Sequence, residues 1–329
     1  MSQERFLVTG ALGCIGAWTV RTLLRAGLPV VVFDRATDPR RLRLILTPEE
    51  LASITFVAGD VTEPAAVGAA LDTNDITNVI HLAALQVPFC RADPVLGAQV
   101  NVVGTVNVFE AVRRRAERMA PVVYAGSVGM FDAADADAVS HHLDAAATAH
   151  PTNLYGVYKL ANEGTARVYW LENGISSIGL RPMTVYGPGR DQGLTSTPTK
   201  AIVAAVLGRP YRISFGGRTL YQYAEDVART MVLASRSGLT GVHAYNMGGS
   251  AVDMSEVVAA IEAVVPESAG SITFENKPLP FPDDIDTTGL ESLGELPVTP
   301  FSDGIRQSAE LYRQLLSEGR LEPAEQGLE

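Results

Sequence analysis

Apolar residues in the first half of the chain fall into short runs, separated by longer stretches in which they recur every three or four positions. The runs cover residues 5–9, 29–33, 54–57, 78–82, 121–125 and 175–180, and they lack the polar alternation of a half-exposed strand. Continuous apolar strands are buried on both faces, as in a parallel sheet covered by helices. The intervening periodicity predicts a helix over 14–26, closed by Gly27 as its C-cap, a long helix over 94–118, and a third before the sixth strand. Strand alternating with helix predicts an α/β fold with a doubly wound parallel sheet of Rossmann type.

Past Arg181-Pro182 the pattern loosens. Proline and glycine become frequent and the strands shorten, with helices expected over 197–207 and 225–234. A strand at 242–246 is predicted to return to the edge of the main sheet, and 270–300 reads as loop.

The first candidate chemistry lies between the first strand and the first helix, in Thr9-Gly10-Ala11-Leu12-Gly13-Cys14-Ile15-Gly16. A glycine triplet alone is a weak signal; the strand before it and the helix after it give it weight. Gly10 permits the tight turn, Gly13 lets backbone approach a pyrophosphate, and Gly16 allows close helix–strand packing. The helix start at Cys14 and Ile15 offers unpaired N–H groups and the positive end of the dipole. Asp34 closes the second strand, eighteen residues past Gly16. A carboxylate there accepts hydrogen bonds from ribose hydroxyls and repels a 2′-phosphate, which favours NAD over NADP, although the adjacent Arg35 carries the charge to take a phosphate if turned inward. Asp60-Val61 either lies near the adenine or caps a helix ahead of Pro64. Leu82-Ala83-Ala84 is small enough for a cofactor to pass, and His81, between apolar neighbours, reads as structural.

Tyr155 and Lys159, four residues apart, share one face of the third helix. A free tyrosine ionises near ~10, and a nearby ammonium together with a positive nicotinamide favours the phenolate. Such a tyrosine can take a hydroxyl proton while hydride leaves the carbinol carbon. Ser127, at the end of the fifth strand, either holds the substrate oxygen or caps a turn.

Composition narrows the partners. Hydrophobic residues make up 47% and charged residues 19%, ordinary for a globular chain, and the net charge of −11 argues against nucleic acid. Arg113-Arg114-Arg115 reads as a solvated helix end. Cys14 and Cys90 lack the spacing of a metal or redox pair, and Cys90 is expected in a loop. No charged leader with an apolar stretch begins the chain and no run reads as long enough to span a membrane, so a cytoplasmic, disulfide-free protein is expected. Residues 132–149 are rich in Ala and Asp and, with His141, His142 and His150, read as a mobile flap rather than a metal cluster; no metal site is expected.

These motifs together resemble the extended short-chain dehydrogenase/reductase superfamily, in its NAD-dependent epimerase/dehydratase branch, from about Phe6 to Ala228. TGALGCIG matches the family's TGxxGxxG turn, HLAA its strand-four motif, and Asn101-Val102-Val103-Gly104-Thr105 its N-x-x-G-T. Ser127, Tyr155 and Lys159 fall on the family's catalytic triad, and Leu180-Arg181-Pro182 with Tyr186-Gly187-Pro188-Gly189 is similar to its R-P-x-N-x-Y-G-P loop. The resemblance implies NAD contacts at Asn101 and Pro182, a strand order 3-2-1-4-5-6-7, and a homodimer through the helices near 94–118 and 151–173. It also implies a division into an NAD-binding Rossmann domain, 1–181, and a smaller substrate lobe, 182–329, that lends the strand 242–246 to the sheet.

The departures bear on substrate. Val128 and Gly129 stand where family 4,6-dehydratases carry Asp-Glu, which argues against elimination. Tyr158 replaces the serine usual before the lysine and is expected to narrow the site. Thr184 replaces asparagine, and Thr219 takes the place of the diphosphate-binding arginine, with Arg218 one residue off. The expectation is a dehydrogenase on a sugar, sugar acid or polyol; the alternative is a nucleotide-sugar 4-epimerase with tightly held NAD. Gln86, Val128, Thr184, Arg190, Gln192 and Arg218 are the candidate substrate contacts.

Overall fold

A computed structural model describes residues 4–131 and 142–328. Its centre is a sheet of seven parallel strands: β1 (Phe6–Thr9), β2 (Val30–Asp34), β3 (Thr55–Ala58), β4 (Asn78–His81), β5 (Val122–Ala125), β6 (Ser177–Arg181) and β7 (Val242–Asn246). Their order is 3-2-1-4-5-6-7, as the resemblance implies, with β7 pairing with β6 at the edge. The apolar runs locate every one of these strands to within two residues.

Because side chains alternate across a strand, the sheet has two cores. Phe6, Val8, Val30, Val32 and Ile80 face one way, into α1 (Cys14–Arg25) and the helix Ala224–Arg236. Leu7, Val31, Phe33 and Val79 face the other, toward the helix Pro64–Thr73, α2 (Gly104–Arg113) and α3 (Leu154–Asn173). The first core continues into the lobe through Tyr186, Tyr221, Tyr223 and Tyr312.

The lobe holds a three-stranded sheet of Thr184–Tyr186, Arg218–Tyr223 and Ser250–Asp253, covered by helices Thr197–Val206, Met254–Val264 and Phe301–Ser317. The stretch 270–300 is loop apart from two short strands and one 3₁₀ turn.

The structure corrects three sequence readings and leaves a fourth largely outside the described residues. The long helix over 94–118 is built in pieces: Pro94–Ala98, a π turn at Gln99–Val103, then α2, with Asp93 capping the start. Residues 94–113 are, by length and composition, long and apolar enough to cross a membrane, contrary to the sequence reading; more than half of the segment is buried, because its apolar face forms core. Cys90 lies in a helix, Val87–Ala92, rather than a loop. Of the alanine-rich flap, residues 132–141 lie outside the described residues, while His142–Leu143 pairs with Asp284–Ile285 as a short parallel ladder.

Candidate active site

The carboxyl ends of β1, β2 and β4 open onto a cleft of about 700 Å³. Ligands of open parallel sheets bind at that end of the strands; a depression of about 660 Å³ at the opposite end, among Glu4, Asn78, Pro121 and Ser176, lies on the wrong side for a nucleotide. Gly10 has φ of +66°, and a Cβ there would sit 2.5 Å from the Ala83 backbone nitrogen. Only glycine lets the turn lie this close to the end of β4. At Gly16 a Cβ would come 2.2 Å from the Gly10 carbonyl oxygen, so this glycine protects the turn itself. Gly13 and Cys14 line the cleft, whereas the Ile15 side chain packs into the core and brings only its backbone to the helix start.

Asp34 accepts hydrogen bonds from the backbone N–H groups of Leu12, at 2.9 Å, and Ala36, at 3.0 Å. It thereby ties the end of β2 to the glycine turn while lining the cleft. Arg35 is turned to Asp60, 4.0 Å away, and Asp60 also takes the Thr62 N–H and hydroxyl, so it braces the turn before Pro64. Val61, Leu82, Ala83 and Ala84 line the floor. A Cβ on Gly104 would meet Val61 at 2.8 Å, which explains the glycine of the N-x-x-G-T motif. Glycine cradle, carboxylate and small-residue floor are what an extended dinucleotide requires.

Asn101 departs from expectation. It is buried, its carbonyl accepts from Leu85 N–H at 2.7 Å, and its amide donates to the Leu85 carbonyl at 2.9 Å. Its polar atoms hold the loop after β4 rather than reaching the cleft. His81 is structural: its ring nitrogens contact Thr9 at 2.7 Å and Thr105 at 3.1 Å, and burial, with the positive Lys159, lowers it to about 3.

Ser127, Tyr155 and Lys159 come together beyond β5. Ser127 caps the turn Val128–Met130, accepting from Gly129 N–H at 3.0 Å, with its hydroxyl near enough to Tyr155 to favour the phenolate. The turn-capping role of this serine is thus seen directly. Asn153 caps α3, fixing the turn that presents Tyr155. Lys159 lies beneath it, 5.6 Å from the ring centre, and donates to the Ala125 carbonyl at 2.7 Å. Burial brings the lysine down to about 8. Burial pushes the Tyr155 hydroxyl above its ordinary value; the Ser127 hydrogen bond and the charge of Arg190 work against that rise without cancelling it. A positive nicotinamide, when bound, would add bias toward the phenolate.

The substrate candidates separate into two groups. Gln86, Arg190 and Gln192 line the cleft. Val128 does not: it is fully buried with Leu143, Leu220 and Ile285. Thr184 is likewise closed off, its hydroxyl 3.4 Å from that of Thr219. The two positions at which the family carries asparagine and arginine thus face each other as short, mutually bonded threonines. Arg218 alternates to the opposite side of its strand, exposed and 3.7 Å from Asp283. Tyr158 does not narrow the site, since its hydroxyl donates to the Pro94 carbonyl at 2.8 Å and its ring packs on Gly97. Pro182 receives the Val128 N–H at its carbonyl, 3.2 Å, and so positions the Ser127 turn.

Sequence reasoning missed a clamp over the cleft. Asp191 is buried and takes Arg40 at 2.9 Å and Arg41 at 2.6 Å; Arg41 also donates to the carbonyls of Leu12 and Gly189. The contacts of Arg40 and Arg41 to Asp191 join residues about 150 apart in sequence, and no local pattern signals them.

The family model of the NAD dependent epimerase/dehydratase family matches residues 6–248. The chain belongs to that family. A UDP-glucose 4-epimerase of Mycolicibacterium smegmatis is 28% identical, over 94% of this chain and 98% of its own. A trifunctional UDP-glucose 4,6-dehydratase/UDP-4-keto-6-deoxy-D-glucose 3,5-epimerase/UDP-4-keto-L-rhamnose-reductase of Arabidopsis thaliana is also 28% identical, over 94% of this chain; the chain spans about half that relative's length, 47%. The crystal structure of Thermus thermophilus UDP-glucose 4-epimerase with NAD superposes with a TM-score of 0.76, at 26% identity, covering 94% of this chain and 99% of that one. The family is NAD-dependent and its members are enzymes, and the relatives act on sugars.

Proposed function

We propose that the protein is an NAD-dependent dehydrogenase that oxidises a carbinol carbon of a sugar, sugar acid or polyol carrying no nucleotide. NAD supplies the hydride acceptor when bound. Ser127 holds the substrate hydroxyl in line with Tyr155. Tyr155 takes the hydroxyl proton, and Lys159, anchored on Ala125, holds positive charge beneath the ring and would hold the nicotinamide ribose when NAD is bound. Gly129 lies beside both Ser127 and Tyr155, and a Cβ there would be 3.2 Å from the serine oxygen, so no acid projects from this position to drive elimination.

The observation that carries the reading is the Thr184–Thr219 pair. Two buried hydroxyls that bond each other offer no cation to a diphosphate, whose charges would be left poorly paired. The test is to incubate the protein with NAD and a panel of free sugars, sugar acids and polyols. Stoichiometric NADH is expected.

A 4-epimerase uses the same triad, and the two epimerase relatives named above support that second reading. Interconversion of UDP-sugars by protein that retains NAD, with no net NADH, would establish it and remove the first.

A homodimer is proposed as well. Val157, Leu160, Val168 and Leu171 form one exposed apolar face on α3, with Val95 and Val103 exposed on the preceding helical segment. Light scattering should give a dimer, and Leu171→Glu a monomer.

A further inference from the structure

Arg190 is a cation of the cleft that, among the described residues, has no carboxylate in ion-pair reach. Its Nη2 donates to the Thr195 hydroxyl at 3.0 Å, while its Nε is shut from solvent without an acceptor. The carboxylate next to it in sequence, Asp191, is held by Arg40 and Arg41. The guanidinium lines the same cleft as Cys14 at the start of α1, and its charge works to lower both the Cys14 thiol and the Tyr155 hydroxyl. Gln86 reaches the same corner: a Cβ on Gly193 would lie 2.2 Å from Gln86 Oε1 and 3.3 Å from Arg190 Nη2.

A partly buried guanidinium with an orphaned N–H is costly until an anion completes it, and its planar fork matches a carboxylate. We infer that Arg190, with Gln86 and Thr195 beside it, receives a carboxylate of the substrate, so that the carbohydrate oxidised here is a sugar acid. The inference rests on the dehydrogenase reading for the reaction but not for the binding. The pyrophosphate of NAD is the other anion that the cleft receives. The N–H groups at the start of α1 would meet that group, whereas Arg190 is carried by the lobe and stands beside Gln86 and Thr195.

The experiment titrates NAD-loaded protein calorimetrically with D-glucuronate, D-galacturonate and D-gluconate, and with glucose and galactose as neutral counterparts. NADH is followed in parallel, and NAD affinity is measured separately. Wild type is expected to bind one acid at least about 30-fold tighter than its neutral counterpart, as for a desolvated charge pair. Arg190→Gln should lose about 30-fold or more. Arg190→Lys should fall between, and Thr195→Val, which keeps the charge but frees the fork, should lose several-fold; NAD affinity should change by less than about threefold in each.

Equal binding of neutral sugars, or no response to any acid, overturns the inference. So does a loss of NAD affinity in Arg190→Gln with acid binding intact, which would assign the arginine to the pyrophosphate. Arg190-dependent acid binding without NADH upholds the inference and defeats the dehydrogenase reading instead. If Arg190→Gln does not fold, the lysine and Thr195→Val variants carry the same comparison.

Discussion

Replacing Lys159 by methionine should stabilise the NAD-free protein at neutral pH while abolishing its activity, and the stability gap should close as pH rises. Lys159 is 4% exposed, and burial brings it from 10.5 to about 8. At roughly 1.4 kcal/mol per pH unit, the folded state bears about 3 kcal/mol against the charged lysine. Below pH 8 both folded and unfolded chains bind the proton, so the full penalty applies. Between pH 8 and 10.5 the unfolded chain binds the proton and the folded chain does not, so stability rises with pH. Wild type should therefore gain about 2 kcal/mol from this one group between pH 7 and 9.5. Methionine has no charge to bury, although it leaves the Ala125 carbonyl without its donor, at a cost of about 1–3 kcal/mol that does not depend on pH. Urea unfolding of both proteins at pH 7, 8, 9 and 9.5 measures the difference. A gap that stays constant over that range refutes the account of Lys159 as a buried ammonium.

Tyr155→Phe should lower kcat by about 10³-fold, within the usual span for a lost proton acceptor, and leave NAD affinity unchanged; single-turnover kinetics would expose a smaller effect. Gly10→Ala should destabilise the fold by about 2 kcal/mol or more and weaken NAD binding at least about tenfold, because the new Cβ meets Ala83 backbone in a left-handed turn. Gly27→Ala has nearly the same φ, +68°, but nothing within 4 Å, and should cost only about 1–2 kcal/mol with no effect on NAD. Asp34→Asn should reduce kcat/KM with NAD by about tenfold and raise that with NADP, through loss of a charged acceptor at the ribose; a wild type that uses both cofactors equally well would contradict this role.

The inner strands of the parallel sheet were legible because they are buried on both faces and declare themselves without any knowledge of their neighbours, whereas the edge strands β3 and β7 are exposed or half-buried and were legible from composition alone. Phe301–Ser317 escaped notice although Ile305, Ala309, Tyr312 and Leu315 repeat at helical spacing, because a proline-rich loop precedes it. The triad and the glycine turn were readable since each is a local spacing on a local element. Side-chain direction was not. Val128 and Gly129 are adjacent, yet one closes an apolar cluster and the other opens beside Tyr155. Asn101 belongs to a π turn, whose extra residue shifts which side chains face the cleft. The Arg40–Arg41–Asp191 clamp depends on tertiary packing alone, and so does the isolation of Arg190.

Trp18 gives the cleft its own optical probe. Its indole N–H donates to the Pro188 carbonyl at 2.9 Å, linking α1, which begins at the glycine turn, to the lobe loop that carries Arg190. The ring is buried against Tyr223 with the Arg21 guanidinium 4.6 Å above it. Any movement of that loop relative to α1 changes the polarity around one indole. The other tryptophan, Trp170, is more than a third exposed at the end of α3 and emits from a wetter environment. Emission at the blue edge should therefore follow loop position in the unlabelled protein. Energy transfer from Trp18 to bound NADH should report cofactor occupancy in the same cuvette, so the order of cofactor and substrate arrival can be read by stopped flow without any engineered dye.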